Sequence, residues 1–371
     1  MMIAIRNTLV TLLIQCYFIC ATAQDIPEVR VMPVPGDSIY SLTDNLPNRI
    51  EVGEPGMDRV WDFTSLQSPF YRKFVYITGD GPDQLKINKG KASYNYIERD
   101  GSLYLHSIQN TDPLMIGTPI ELKCSPALLE YKNPIRYQDA TSEYSRLIGY
   151  MPWKDIPEKF RLEDANMLDS IRIVLEVNRD DAADAWGAVL MQHEAFDVVR
   201  VRRIEEQVLS IFMRKKDNLW IDVSDNFQKI LNGISWNSVT YSYLFLTENM
   251  PGPVVELYTD ENDKIEKVIF SADPKMAKEI SPEKRLRGVY VYPNPTFGNV
   301  RFEFFNLPDD TYELSVYNVL GKKLWTSNDE IKNNKVILAD LSFLKRGTYF
   351  YSLKNQSGKR IVTRRLIILK A

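Results

Sequence analysis

The sequence predicts an all-β protein in two parts, on three observations. Runs rich in Tyr, Phe, Val and Ile recur at short intervals, turn-forming Gly, Asp, Asn and Pro fall between them, and apolar spacing at the helical period is weak throughout. The larger part is a β-rich body, sandwich-like and built of one or two subdomains. The smaller is a seven-stranded β-sandwich at the C-terminal end.

In the body the pattern predicts strands over 74–78, 92–98, 103–108, 171–177, 197–207, 239–246, 254–258 and 264–270. Between them lie Gly79-Asp80-Gly81-Pro82, Arg99-Asp100-Gly101 and Asp260-Glu261-Asn262-Asp263. These are turn sequences, because Gly accepts positive φ and Asp and Asn bond their own backbone. Strands 92–98 and 103–108 read as a hairpin, as do 254–258 and 264–270. A short helix is expected over 125–131, where Ser125-Pro126 is a helix-start pair. The polar stretch 271–288 carries two prolines and no alternation, and reads as a linker closing a body of residues 24–270.

From Val289 the alternation sharpens. Val289 to Tyr292 is a strand, and Pro293-Asn294-Pro295-Thr296-Phe297-Gly298 is a rigid turn, since proline fixes φ and glycine permits backbone shapes closed to other residues. Val300, Phe302 and Phe304 then face one way, with Arg301 and Glu303 on the other side. Tyr312, Leu314 and Val316 repeat the pattern. Further strands follow Gly321-Lys322, Lys335, Arg346-Gly347 and Ser357-Gly358. Seven short strands over about 80 residues predict an Ig-like sandwich.

The N-terminus predicts export. Arg6 precedes an apolar run from Thr8 to Cys20, and Ala21-Thr22-Ala23 supplies small residues for cleavage between Ala23 and Gln24. The run is shorter than the roughly 20 residues that span a bilayer. Residues 1–23 therefore read as a signal peptide, leaving Cys124 as the lone mature cysteine, with no partner for an internal disulfide in the mature chain. Charge is divided as well. Residues 289–371 carry 13 Lys/Arg and 7 Asp/Glu in a chain of net charge −3, so the body before them is acidic. Separate modules with separate partners follow, and an acidic body argues against nucleic acid as its ligand.

The body nominates no catalytic residue and no metal ligand. His106 and His193 are the only histidines, and neither stands in an HExxH spacing. No GxSxG elbow marks a serine nucleophile. Asp180, Asp181 and Asp184 form the densest carboxylate cluster, which reads as a solvated turn before Ala185-Trp186-Gly187, and Asp260–Asp263 reads as a hairpin tip. Arg200 and Arg202 share one face of a strand and read as an ordinary solvated surface. Trp61, Trp153, Trp186, Trp220 and Trp236 read mostly as core. No cofactor is implied.

The tail resembles a known family. Tyr292-Pro293-Asn294-Pro295 with Gly298, then Gly321-Lys322, Gly347-Thr348-Tyr349 and the basic-apolar ending through Arg364, Arg365 and Lys370 are similar to the C-terminal sorting domain of the bacterial type IX secretion system. The resemblance implies recognition by the outer-membrane export machinery, common removal of the tail, and release of the cargo or its attachment to surface lipopolysaccharide, in the Bacteroidetes lineage. Two stretches of the body, 59–66 and 186–202, resemble segments of uncharacterised extracellular β-proteins of that lineage, which implies no reaction. The expected protein is thus secreted or attached to the outer cell surface, non-catalytic, and binds glycan or a partner protein. The competing expectation is a secreted hydrolase of glycans or peptides.

Overall fold

Twelve strands of the body form a meander. They are β1 (Ser38–Asp44), β2 (Phe70–Thr78), β3 (Gln84–Lys89), β4 (Ala92–Arg99), β5 (Ser102–Thr111), β6 (Ile120–Tyr131), β7 (Ala140–Pro152), β8 (Leu168–Leu190), β9 (Ala195–Lys215), β10 (Asn237–Leu246), β11 (Val255–Thr259) and β12 (Ile265–Ser271). The computed structural model describes residues 27–369 apart from 46, 48, 69, 82–83, 162–167, 216–218, 232–233, 249, 273–280, 283–286, 293 and 332–335. The signal peptide with Ala23 and Gln24, together with Pro293, Lys370 and most of the 271–288 linker, lies outside the described residues.

Each strand of the meander pairs antiparallel with the next, and β12 pairs with β1, so the sheet closes on itself. Closure removes the unpaired edges that an open sheet leaves to aggregation. The inner face follows the alternation read from the sequence. Ile87, Tyr96, Leu105, Leu122, Cys124, Leu147, Val177, Val201 and Leu244 pack together inside the ring, with Val29 and Val31 of the N-terminal segment. Strands β7, β8 and β9 run on together with Trp220–Asp222 beside β9, and there Ile171, Ile173, Ile211 and Met213 bury Trp153 and Phe227.

One expectation is corrected here. Residues 125–131 are the second half of β6 rather than a helix. The alternating Leu122, Cys124 and Leu128 face the inner core, and that two-residue period, satisfied by pairing with β5 and β7, outweighs a local helix-start signal. Part of the linker is also sheet, since Ser281–Pro282 pairs parallel with Phe70–Tyr71 at the start of β2.

Among the described residues the tail is a sandwich of seven strands, as expected: β13 (Gly288–Tyr292), β14 (Asn299–Phe305), β15 (Asp310–Asn318), β16 (Lys323–Ile331), β17 (Val336–Asp340), β18 (Gly347–Asn355) and β19 (Arg360–Ile368). One sheet runs β13-β14-β17 and the other β16-β15-β18-β19. Val300, Phe302, Phe304, Leu314, Val316, Tyr351, Leu353 and Leu366 fill the space between them. The opposite face of β14 is buried too, because Arg301, Glu303 and Phe305 lie against the body.

Candidate functional site

One outer surface of the body is built on a one-residue bulge. Between Ala183 and Ala185 the register of β8 on β9 slips, and Asp184 is the extra residue. A slip by one residue exchanges the two faces of a strand. Ala183 packs inside the ring, whereas Ala185 and Val189 pack outside it, under Trp61 and Phe63. That outer patch is covered by Gly56–Asp62, a short strand running parallel to β8. Gly187 makes the approach possible, since a Cβ there would stand 1.9 Å from the Arg59 carbonyl oxygen. The two body stretches singled out in the sequence, 59–66 and 186–202, therefore meet.

Arg200 lies at the centre of this construction and is only 1 % exposed. Its Nε and Nη2 donate to the two oxygens of Asp184 at 2.8 and 2.9 Å, and Nη1 donates to the Val52 and Gly53 carbonyls at 2.7 and 2.9 Å. The guanidinium also sits against the Trp61 and Tyr243 rings, 5.5 and 5.0 Å from their centroids. The expectation that Arg200 belongs to a solvated face is thus overturned, while Arg202 on the same face is exposed. The expectation of a solvated turn at Asp180–Asp184 falls with it. These residues lie in mid-strand, where Asp184 holds Arg200, Asp181 holds Arg203 in a second bidentate pair, and Asp180 accepts from Ser142. Proximity along the chain misled here, because alternate strand residues face opposite sides.

Beside Arg200 opens a cleft of about 820 Å³. Glu51, Glu54, Asp184, Arg202, Asp263 and Lys264 give it both signs of charge. Two of its carboxylates are already engaged, Asp184 by Arg200 and Asp263 by the Tyr243 hydroxyl, which donates at 2.7 Å. Burial, helped by that bond, pushes the Tyr243 phenol up to about 12. Trp61 and Tyr243 are 4 % and 3 % exposed, so their ring faces are not free to stack on a ligand.

A second polar group lies inside the ring. Arg179 donates to Glu205 at 2.7 Å and to the Leu129 carbonyl at 2.7 Å, and Arg203 donates to the Glu130 carbonyl at 2.9 Å. Burial pushes the Glu130 carboxyl up, but Arg179 and Arg203 outweigh it and hold it below the usual range. Glu256, on β11, is raised by burial. A carboxyl pair pushed apart in this way is the pattern of an acid and a base. The cavity touching Glu130, Asp181 and Arg203 is only about 30 Å³, however, room for a water or two rather than a substrate. Cys124 is buried nearby with its thiol pushed up to about 11 by burial, away from the reactive thiolate. His106 lies on β5, and His193 in the β8–β9 turn. Among the described residues no group of three His, Cys, Asp or Glu is arranged to hold a metal.

In the tail, the residues singled out in the sequence tie the sandwich together. The Asn294 side-chain amide donates to the Arg365 carbonyl at 2.9 Å, and its oxygen accepts from the Ile367 amide at 2.9 Å, which locks the first turn onto the last strand. Pro295 follows in the exposed turn, and Gly298, at φ +138°, closes on Ser342, where a Cβ would stand 2.7 Å from the Ser342 Cα. Gly321 and Lys322 complete the β15–β16 turn on the Asn318 carbonyl and side chain. Gly347 opens β18, and the Tyr349 hydroxyl donates to the Lys345 carbonyl at 2.8 Å. Arg364 stacks over Tyr290 at 3.9 Å, and Arg365 is exposed.

Residues 290–369 match the secretion system C-terminal sorting domain. A sorting domain of this family indicates export by the type IX secretion system, interaction with its machinery, and a destination outside the cell or on its outer surface. The match spans the tail sandwich from the third residue of β13 to just past the end of β19 and stops short of the body. No curated protein matches the chain.

Proposed function

We propose that the body is a non-catalytic extracellular binding domain, delivered by its sorting domain and released or joined to surface lipopolysaccharide once the tail is removed. The cleft beside Arg200 carries this reading. Its volume suits a ligand or an inserted loop, its rim offers Glu51, Glu54, Arg202 and Lys264 to solvent, and its inner carboxylates are committed to hydrogen bonds rather than poised for proton transfer. Mixed charge without a free aromatic plane favours a segment of a partner protein over a neutral glycan. The opposed shifts of Glu130 and Glu256 favour a hydrolase, but the space beside Glu130 is too small for a glycan or peptide bond to enter.

Two experiments test the two halves of this proposal. A chain ending at Arg287 should accumulate inside the cell, and normal surface or medium levels would defeat the export reading. The full mature chain, screened by glycan array and by pull-down from surface extracts, should retain a ligand that Arg202→Glu with Lys264→Glu loses at least tenfold. Retention unchanged by that double variant would remove the cleft as the site.

A further inference from the structure

The outer face of β14 is the side of the sorting domain that sequence alternation leaves to solvent, yet it is among the most buried surfaces of the chain. Arg301 is fully buried and Glu303 and Phe305 are 4 % and 2 % exposed. Their neighbours belong to the body. Phe305 meets Phe70 edge to face, with ring centroids 4.7 Å apart, and Tyr290 packs on the other side of Phe305 at 5.7 Å. The Asn45 side chain donates to Glu303 Oε1 at 2.8 Å, and Arg301 Nη2 donates to the Thr43 carbonyl at 3.3 Å while pairing with Glu303 at 2.5 Å. Burial pushes the Tyr292 phenol well up, and Asp44, 4 % exposed, faces it and adds to that shift. The docking surface on the body is the end of β1 and the start of β2.

We propose that the sorting domain is docked non-covalently on the body through this face, so that cutting the connecting segment does not by itself separate the two. The apolar part, Phe70 with Phe305 and Tyr290, supplies attraction that needs no covalent link. The ionic part sets a limit on its strength. A buried pair repays its desolvation only when its remaining donors are satisfied, and Arg301 Nε and Nη1 are buried without a hydrogen-bond partner. The polar pair supplies register, since Glu303 is read by Asn45 and Arg301 by the Thr43 carbonyl. The occupant of this face at β13 and β14 is the body of the same chain, while β17 beside them in the same sheet keeps Leu338 exposed.

The test places a specific protease site within 273–280 of the full mature chain and cuts it to completion. Body and tail should co-elute on size exclusion at about 10 μM. Asn45→Asp, which sets a carboxylate against Glu303 and lies on the body outside the strands, should weaken the complex at least tenfold. Arg301→Met with Glu303→Leu should hold as well as the parent or better. Phe305→Ala should release the tail, with circular dichroism of the isolated fragment checking that it remains folded. Complete separation of the parent fragments after cutting, or co-elution untouched by both Asn45→Asp and Phe305→Ala, overturns the proposal. Neither outcome bears on the export test, which reads delivery of the uncut chain.

Discussion

Arg200→Met is the substitution that asks most of the body's architecture. Methionine keeps an unbranched stem but removes the guanidinium that donates to both oxygens of Asp184 and to the carbonyls of Val52 and Gly53. Breaking a buried pair by removing one partner costs about 3–5 kcal/mol, because the other charge stays buried. Asp184 is 20 % exposed and can turn partly to water, which favours the lower end, while each carbonyl left without its donor adds on the order of 1 kcal/mol. The Val52 carbonyl keeps the Trp61 indole as a donor at 2.9 Å, so its share is small. A loss of about 3–4 kcal/mol follows, or roughly 6–16 °C in Tm for a domain of this size. The assay is thermal and urea unfolding of the full chain, followed by near-ultraviolet signals so that the body transition is separated from that of the tail. Arg200→Met combined with Asp184→Leu should recover at least 1 kcal/mol relative to the sum of the single changes, because the stranded carboxylate is then gone. A single-variant loss below 1 kcal/mol, or strict additivity in the double variant, would refute the view that this pair pins the Gly53–Trp61 segment to the ring.

Other outcomes follow from the same geometry. Gly187→Ala should cost about 1–3 kcal/mol by forcing the Gly56–Asp62 strand away from β8, measured by urea unfolding. Asn294→Ala should lower the stability of the tail by about 1–2 kcal/mol through loss of its two bonds to the last strand, seen as the tail transition alone moving. Glu256 binds its proton more tightly in the folded protein than in the unfolded chain, so its contribution to stability declines as pH rises from the ordinary carboxylate range through its folded pKa. Glu256→Gln should therefore stabilise the body at pH 7, by on the order of 1 kcal/mol, and flatten that part of the pH profile. Glu130 has the opposite sign, its stabilisation being present above the unfolded pKa and lost as pH falls through the lowered folded one, and Glu130→Gln should remove that acid-side loss.

Much of this protein was legible from residue order alone. Short-range alternation placed the body strands, although β8 and β9 extend far beyond their predicted cores, because each also finds partners on its other edge: β7 and Gly56–Asp62 along β8, β10 and Trp220–Asp222 along β9. The tail was clearest, since its turns demand particular residues, Asn294, Gly298 and Gly321 among them, and those demands are local. What the sequence left open depended on which face of a strand a second segment covers. Arg200 and Arg202 are alike in sequence, two residues apart on one face, and only the Val52–Gly53 backbone lying against Arg200 makes one a buried anchor and the other a rim charge. Asp184 acquired its role from a bulge that periodicity does not announce, and Arg301 and Glu303 lost their solvent because the body packs there. The sequence by itself determined the all-β composition, the two modules and the sorting domain, which rest on local backbone preference and spacing. Ring closure, the cleft and the docked tail were decided by tertiary structure, because each depends on contacts between residues more than a hundred positions apart, which no local pattern encodes.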